Sequence, residues 1–109
     1  MIIVVPNLPD KDHLEHVAME MDRLGSPRIR AIWSSVHGVW FAAEGSHRIA
    51  AASKKEMVPI IIDITGEGAK VQREEEETEM TASELEDWLF SDFEDAPKYI
   101  FKRLELGDE

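Results

Sequence analysis

Phe41-Ala42-Ala43-Glu44-Gly45-Ser46-His47-Arg48-Ile49-Ala50-Ala51-Ala52 is the stretch on which the reading of this chain turns. A strand over residues 39–43 runs into Gly45, and a short alanine-rich helix over residues 46–55 starts at once. The first turn of a helix leaves backbone N–H groups unpaired and carries about half a positive charge, so it attracts anions. Gly45 lets the chain turn with positive φ and lets a ligand approach the backbone closely. Arg48 can grip oxyanions in a two-pronged fork, and Ser46 and His47 can donate further hydrogen bonds. Together these residues predict a phosphate cradle. Glycine followed by a serine that caps a helix is also a common structural device, and that plainer reading stays open.

Working outward, residues 58–64 are β-branched and apolar on both faces, as suits a strand inside a sheet. Residues 28–34 alternate Ile29, Ala31 and Trp33 with Arg28 and Arg30, which is strand periodicity. The loop around His37-Gly38 makes that segment the hairpin partner of residues 39–43. Residues 2–5 form another apolar strand, ended by Pro6-Asn7 and Pro9. Leu14, Val17, Ala18, Met21 and Leu24 fall at helical spacing. That helix starts near Asp10 or Asp12, where Asp12 and Glu15 resemble a capping box, and Gly25 is a natural stop.

Past a turn at Thr65-Gly66-Glu67-Gly68, the glutamates at 74–77 have no apolar partners and read as an exposed linker or helix lead-in. Thr81-Ala82-Ser83-Glu84 is a capping box opening a helix that buries Leu85, Trp88 and Leu89. A last helix near residues 95–106 would take Pro97 in its first turn and align Ile100, Phe101 and Leu104. The pattern predicts an α+β fold: a small mixed sheet with packed helices, plus two C-terminal helices. The length of 109 residues fits one domain. Residues 1–73 would be its α/β body, and residues 74–109 an acidic helical extension packed on it.

Charge is unevenly distributed. The net charge of -11 is carried entirely by residues 74–109, since the first 73 residues hold nine acids and nine bases. Between Gly25 and Lys55 the balance reverses, with Arg28, Arg30, Arg48, Lys54 and Lys55 facing only Glu44. An acidic C-terminal third argues against broad nucleic-acid binding, which neutralisation of phosphates drives. It leaves room for one small anion in the basic middle. The chain has no cysteine, so thiolate chemistry and disulfides are excluded. No apolar run approaches the ~20 residues of a membrane span, and the N-terminus lacks a basic start with a long apolar stretch. A cytoplasmic location is the expectation.

The stretch from Glu44-Gly45-Ser46-His47-Arg48-Ile49-Ala50-Ala51-Ala52 to Val58-Pro59-Ile60-Ile61-Ile62 resembles the ParB/sulfiredoxin superfamily. Its shared signature is a strand ending in an acidic residue or glycine, then Gly-x-His-Arg or a close relative, an alanine-rich helix and an apolar strand. The likeness covers about residues 2–64 and is specific over about 41–62. It implies a ParB/sulfiredoxin-like fold in which Gly45, Ser46, His47 and Arg48 line the phosphate site of a nucleotide. ATP, ADP or CTP would be the ligand, and Mg²⁺ would accompany it. Glu44 is then the catalytic candidate, for metal or acid/base work in an NTPase or phosphotransferase. Sulfiredoxins carry a cysteine where this chain has Ser46, so their chemistry is not expected. ParB partition proteins add a helix-turn-helix and a dimerisation domain that this sequence lacks. Free-serine kinases of the superfamily keep a similar box but are longer.

Other residues carry less. Arg28 and Arg30 share a strand face and would extend the anion site or pair with the acidic C-terminal helices; an acidic segment lying over the cleft in that way would compete with a phosphate. His37 is an accessory candidate or a turn residue. His13 and His16 have no evident third ligand, so no metal site is expected from them. Trp33 and Trp40 read as sheet packing, with stacking on a nucleobase as the alternative. Two other functions remain on the sequence: a non-catalytic interaction or regulatory module binding a basic protein partner through acidic helices, and, more weakly, a DNA-binding ParB-like domain.

Overall fold

Alternation along the strands sends apolar side chains to both faces of one sheet, and the helices follow from that. The computed structural model describes residues 1–6, 10–73, 76–91, 93–101 and 105–106. In chain order the elements are β1 (Ile2–Val4), α1 (Lys11–Leu24), β2 (Arg28–Ser34), β3 (Val39–Ala42), α2 (Ser46–Lys54), β4 (Ile60–Asp63), β5 (Ala69–Arg73), β6 (Glu76–Met80), α3 (Ala82–Phe90), β7 (Lys98–Ile100) and β8 (Glu105–Leu106). The fold is α+β. A mixed sheet runs in the order β7-β1-β3-β2-β4-β8, and β5 and β6 form a separate hairpin. β2 and β3 lie antiparallel at its middle, with β1 parallel to β3 and β4 parallel to β2.

Ile3, Val5, Ile29, Ala31, Trp40 and Ala42 point to one face, where Met21 of α1 and Ile49, Ala51 and Ala52 of α2 cover them. Val4, Ile32, Val39 and Phe41 point to the other, against Val71, Met80, Leu85 and Leu89 of the hairpin and α3. The alanines of α2 leave little bulk, so that helix lies close on the sheet. α1 and α2 run in the same direction. Their starts are joined by the Asp10 N–H and His47, and their ends by Lys55 and Asp22. α1 is capped by Asp10, whose carboxylate accepts from the N–H groups of Asp12 and His13, and it stops at Gly25 (φ 82°). The cap is therefore Asp10, the earlier of the two predicted starts, two residues before Asp12.

Two expectations for the last third fail. The final helix near residues 95–106 does not form; Lys98–Ile100 pairs antiparallel with β1, and Glu105–Leu106 runs parallel to β4. The helical reading put Ile100 and Phe101 on one stripe. In the structure Phe101 is 5% exposed and Ile100 75% exposed, which is strand alternation. Tyr99 and Ile100 favour strands, and Pro97, with no N–H to give, sits just ahead of β7 where its carbonyl accepts from Val5. Leu104 lies outside the described residues.

The segment after Gly68 is also a strand pair rather than a linker, although Glu74 and Glu75 lie outside the described residues. Lys70 stands opposite Glu79 across β5 and β6, an opposite-charge pair, and Val71 and Met80 are buried. The boundary expected between residues 73 and 74 thus falls inside a hairpin. Among its described residues the acidic extension contains one of its two expected helices, α3, together with β6, β7 and β8. No helix among the described residues is long and apolar enough to cross a membrane.

The capping box at Thr81 is formed: its side chain accepts from the Glu84 N–H at 3.2 Å, and Glu84 accepts from the Thr81 N–H at 3.0 Å. Thr81→Ala is expected to cost about 1 kcal/mol in urea unfolding; an unchanged midpoint would show that the box contributes nothing to α3.

Candidate functional site

The turn from β3 into α2 depends on one backbone conformation. Gly45 has φ 80° and ψ 31°, the left-handed region, and it is the N-cap of α2 with no side chain closing the helix end. Ser46 is therefore the first helical residue and not the cap, so the serine-cap reading is set aside. A Cβ at position 45 would stand 2.7 Å from Ile29 Cδ1 and 3.2 Å from Arg48 Nη2. Ile29 is fully buried and has no room to retreat. Gly45→Ala combines strain and overlap, and is expected to lower stability by about 1–3 kcal/mol in urea unfolding. A wild-type midpoint would mean that the turn relaxes freely.

Beside this turn lies a cleft of about 510 Å³, within the size range of small-molecule sites. Glu44, Gly45, Ser46, His47 and Arg48 line one end. Val17, Met21, Leu24 and Pro27 give it an apolar wall, with His13, Glu20 and Pro6 on the rim. All five residues of the predicted box are thus brought together on one cavity. A second, wider depression lies at the start of α3, lined by Gly68, Lys70 and Glu79 among others. There the helix end is already closed by the Thr81–Glu84 box.

Each box residue has a defined setting. Arg48 donates from Nη1 to the Arg28 carbonyl at 3.3 Å, and its Nη2 lies 3.8 Å from Glu44 Oε1. Its side chain remains 42% exposed, so the guanidinium reaches the cleft mouth. Glu44 takes two hydrogen bonds from Arg30, at 3.1 and 2.7 Å. That hydrogen bonding, opposed by partial burial and helped by the charges of Arg30 and Arg48, holds the Glu44 carboxyl below the ordinary range. A carboxylate so engaged is a weak base, and it orients Arg30 and Arg48.

His47 accepts the Asp10 backbone N–H on Nε2 at 2.8 Å, and its ring stands edge-on to His13 with centroids 4.4 Å apart. Its remaining proton is therefore on Nδ1. Desolvation, with His13 as a neighbour and Asp10 opposing, lowers its pKa, so the neutral ring is the resting form. His47 ties the starts of α1 and α2 together.

The accessory candidates fall elsewhere. Arg30 turns to the opposite face, where it also donates to the Lys70 carbonyl at 2.9 Å, and neither Arg28 nor Arg30 lines the cleft. His37 belongs to the far end of the β2–β3 hairpin. It bonds to Ser34 Oγ through Nδ1 at 2.8 Å and packs among Phe41, Phe90 and Phe93. Trp33 and Trp40 pack edge to face at 5.3 Å and do not line the cleft either. The wall contributed by α1 was missed. His13, Val17, Glu20 and Leu24 recur at three- and four-residue steps along one edge of that helix, and Leu24 is 70% exposed. That spacing was the available signal.

Among the described residues no group of three or more His, Asp or Glu side chains is placed to hold a metal ion. No family model matches the chain, and neither a curated protein nor a solved structure matches it.

The Arg30–Glu44 pair sets a pH dependence. Because the folded Glu44 pKa lies below its ordinary value near 4.5, the stabilisation is complete above that value and is lost as pH falls through the folded one. Both side chains are a third exposed, so the effect is held to about 1 kcal/mol or less by solvent. Wild type should be more stable than Glu44→Gln at pH 7, and the two unfolding curves should converge well below pH 4.5. A difference that persists in acid would remove ionisation as its cause.

Proposed function

We propose that the cleft at the start of α2 binds the phosphate of a nucleotide, in a domain of ParB/sulfiredoxin type acting in the cytoplasm. The observation that carries this reading is the open helix end at Gly45, with the Arg48 guanidinium beside it, giving onto a cavity whose other wall is apolar. Helix N–H groups and a guanidinium suit a phosphoryl group, and an apolar wall suits a base. α1 and α2 run in the same direction, so both positive helix ends sit near this point, and Asp10 neutralises only that of α1. The order of strand, glycine, His-Arg and alanine-rich helix supports the superfamily assignment.

Mg²⁺ does not fit a protein-held site here. Hard cations need several oxygen ligands; Glu44 is engaged by Arg30, and among the described residues no group of three or more candidate ligands comes together. No catalytic step is therefore assigned, and binding is the function proposed. Nucleic acid remains a poor partner for the charge distribution.

Calorimetry with ATP, ADP and CTP on wild type and Arg48→Ala tests the proposal. Binding by wild type, weakened roughly tenfold or more in the variant, is expected. No heat with any nucleotide would remove the functional reading and leave the fold intact.

A second reading draws on the other face. Glu76, Glu77, Glu79, Glu84 and Asp87 are all exposed along β6 and α3, which suits a basic protein partner of a non-catalytic module. Capture of such a partner would weaken steeply with salt.

A further inference from the structure

We propose that the cleft takes a phosphomonoester, with its one phosphoryl group on the start of α2 and an apolar, ring-sized group against α1, bound without a metal ion. This rests on the nucleotide reading and narrows it to the nucleoside monophosphate class. Ser46 supplies the independent observation. It is 7% exposed and lines the cleft, yet its hydroxyl has no hydrogen-bond partner among the described residues. No fully buried side-chain oxygen among the described residues lacks a partner, so this hydroxyl keeps some exposure, and the cleft is the cavity its residue lines. A hydroxyl on a residue this buried, beside helix N–H groups with no side-chain cap, is placed to donate to an acceptor bound in the cleft.

The count of charges sets how many phosphoryl groups the site can hold. On the positive side are one helix end and Arg48, and Arg48 is already shared with Glu44 and the Arg28 carbonyl. One phosphate monoester brings about −1.5 to −2 at pH 7, already the most that a guanidinium and about half a charge at a helix end can offset. A triphosphate brings more, into a cleft that also carries Glu20 and Glu44, and no group of three or more candidate ligands among the described residues is placed to hold the cation that would offset it. Val17, Met21, Leu24 and Pro27 then face the rest of the ligand, which must be apolar and ring-sized to use them.

The test is calorimetry with AMP, CMP, ATP, CTP and adenosine, each with EDTA and with Mg²⁺, on wild type, Ser46→Ala and Arg48→Ala. A monophosphate should bind at least as tightly as its triphosphate, with no gain from Mg²⁺, and adenosine should bind at least roughly tenfold more weakly than AMP. Ser46→Ala should weaken the monophosphate roughly tenfold and leave the melting temperature unchanged, because the hydroxyl it removes has no partner in the protein. A triphosphate that binds tighter than the monophosphate, or only with Mg²⁺, would overturn the inference and leave the nucleotide reading standing. Unchanged affinity in Ser46→Ala would overturn it too. Silence with every nucleotide would remove the nucleotide reading itself.

Discussion

A missing side chain at position 45 holds the middle of this molecule in place. The left-handed turn there aims α2 back over the sheet, and the space a Cβ would occupy is taken by Ile29 from β2 and the guanidinium of Arg48. Ile29 is in the α1–α2 core, so the turn is packed from the inside. Arg48 then reaches back to the Arg28 carbonyl and toward Glu44, which in turn fixes Arg30. One glycine thereby links the strand pair at the centre of the sheet to the helix that covers it. The same geometry leaves the start of α2 without a side-chain cap, because the residue in the cap position has no side chain to offer. The requirement of the fold and the opening of the site have a common origin.

What could be read from the sequence follows from how local each signal is. The box at residues 41–52 needed only neighbouring residues: a strand, a glycine, then alanines at helical spacing. Asp10, Gly25 and Thr81 punctuate α1 and α3 through contacts two to four residues away. β7 is different, since its partner β1 lies about a hundred residues earlier, and the amino group of Met1 donates to the Phe101 carbonyl at 2.9 Å. Tyr99, Ile100 and Phe101 read equally as one turn of helix until that edge of β1 is known to be available. The hairpin of β5 and β6 was hidden for another reason. Its glutamates are solvent-facing strand residues, and only Val71 and Met80 betray a buried side.

The site shows the same division. Residues 44–48 were legible because a single turn assembles them, and the turn was the signal. His37 takes its turn reading, and Arg30 leaves the anion site because strand periodicity gives the face a side chain points to, and not what waits for it there. Arg30 found Glu44 across the strand pair and the Lys70 carbonyl above it, while His37 found the aromatic side chains of Phe90 and Phe93. The α1 wall of the cleft arises from packing of two helices in the same direction, which no stretch of either helix specifies alone.

That packing also separates the charges of the chain. The acidic β6 and α3 lie on the sheet face opposite α1 and α2, and no residue of theirs lines the cleft. The sheet and an apolar layer on each of its faces stand between them. Arg30 marks the crossing point: it feels Glu77 from the hairpin as well as Glu44. It absorbs negative charge on the acidic side and leaves Arg48 as the cation facing the cleft. An acidic segment folded over the cleft would have competed with an anion there. The β6 and α3 carboxylates are held on the other side of the sheet, away from the start of α2.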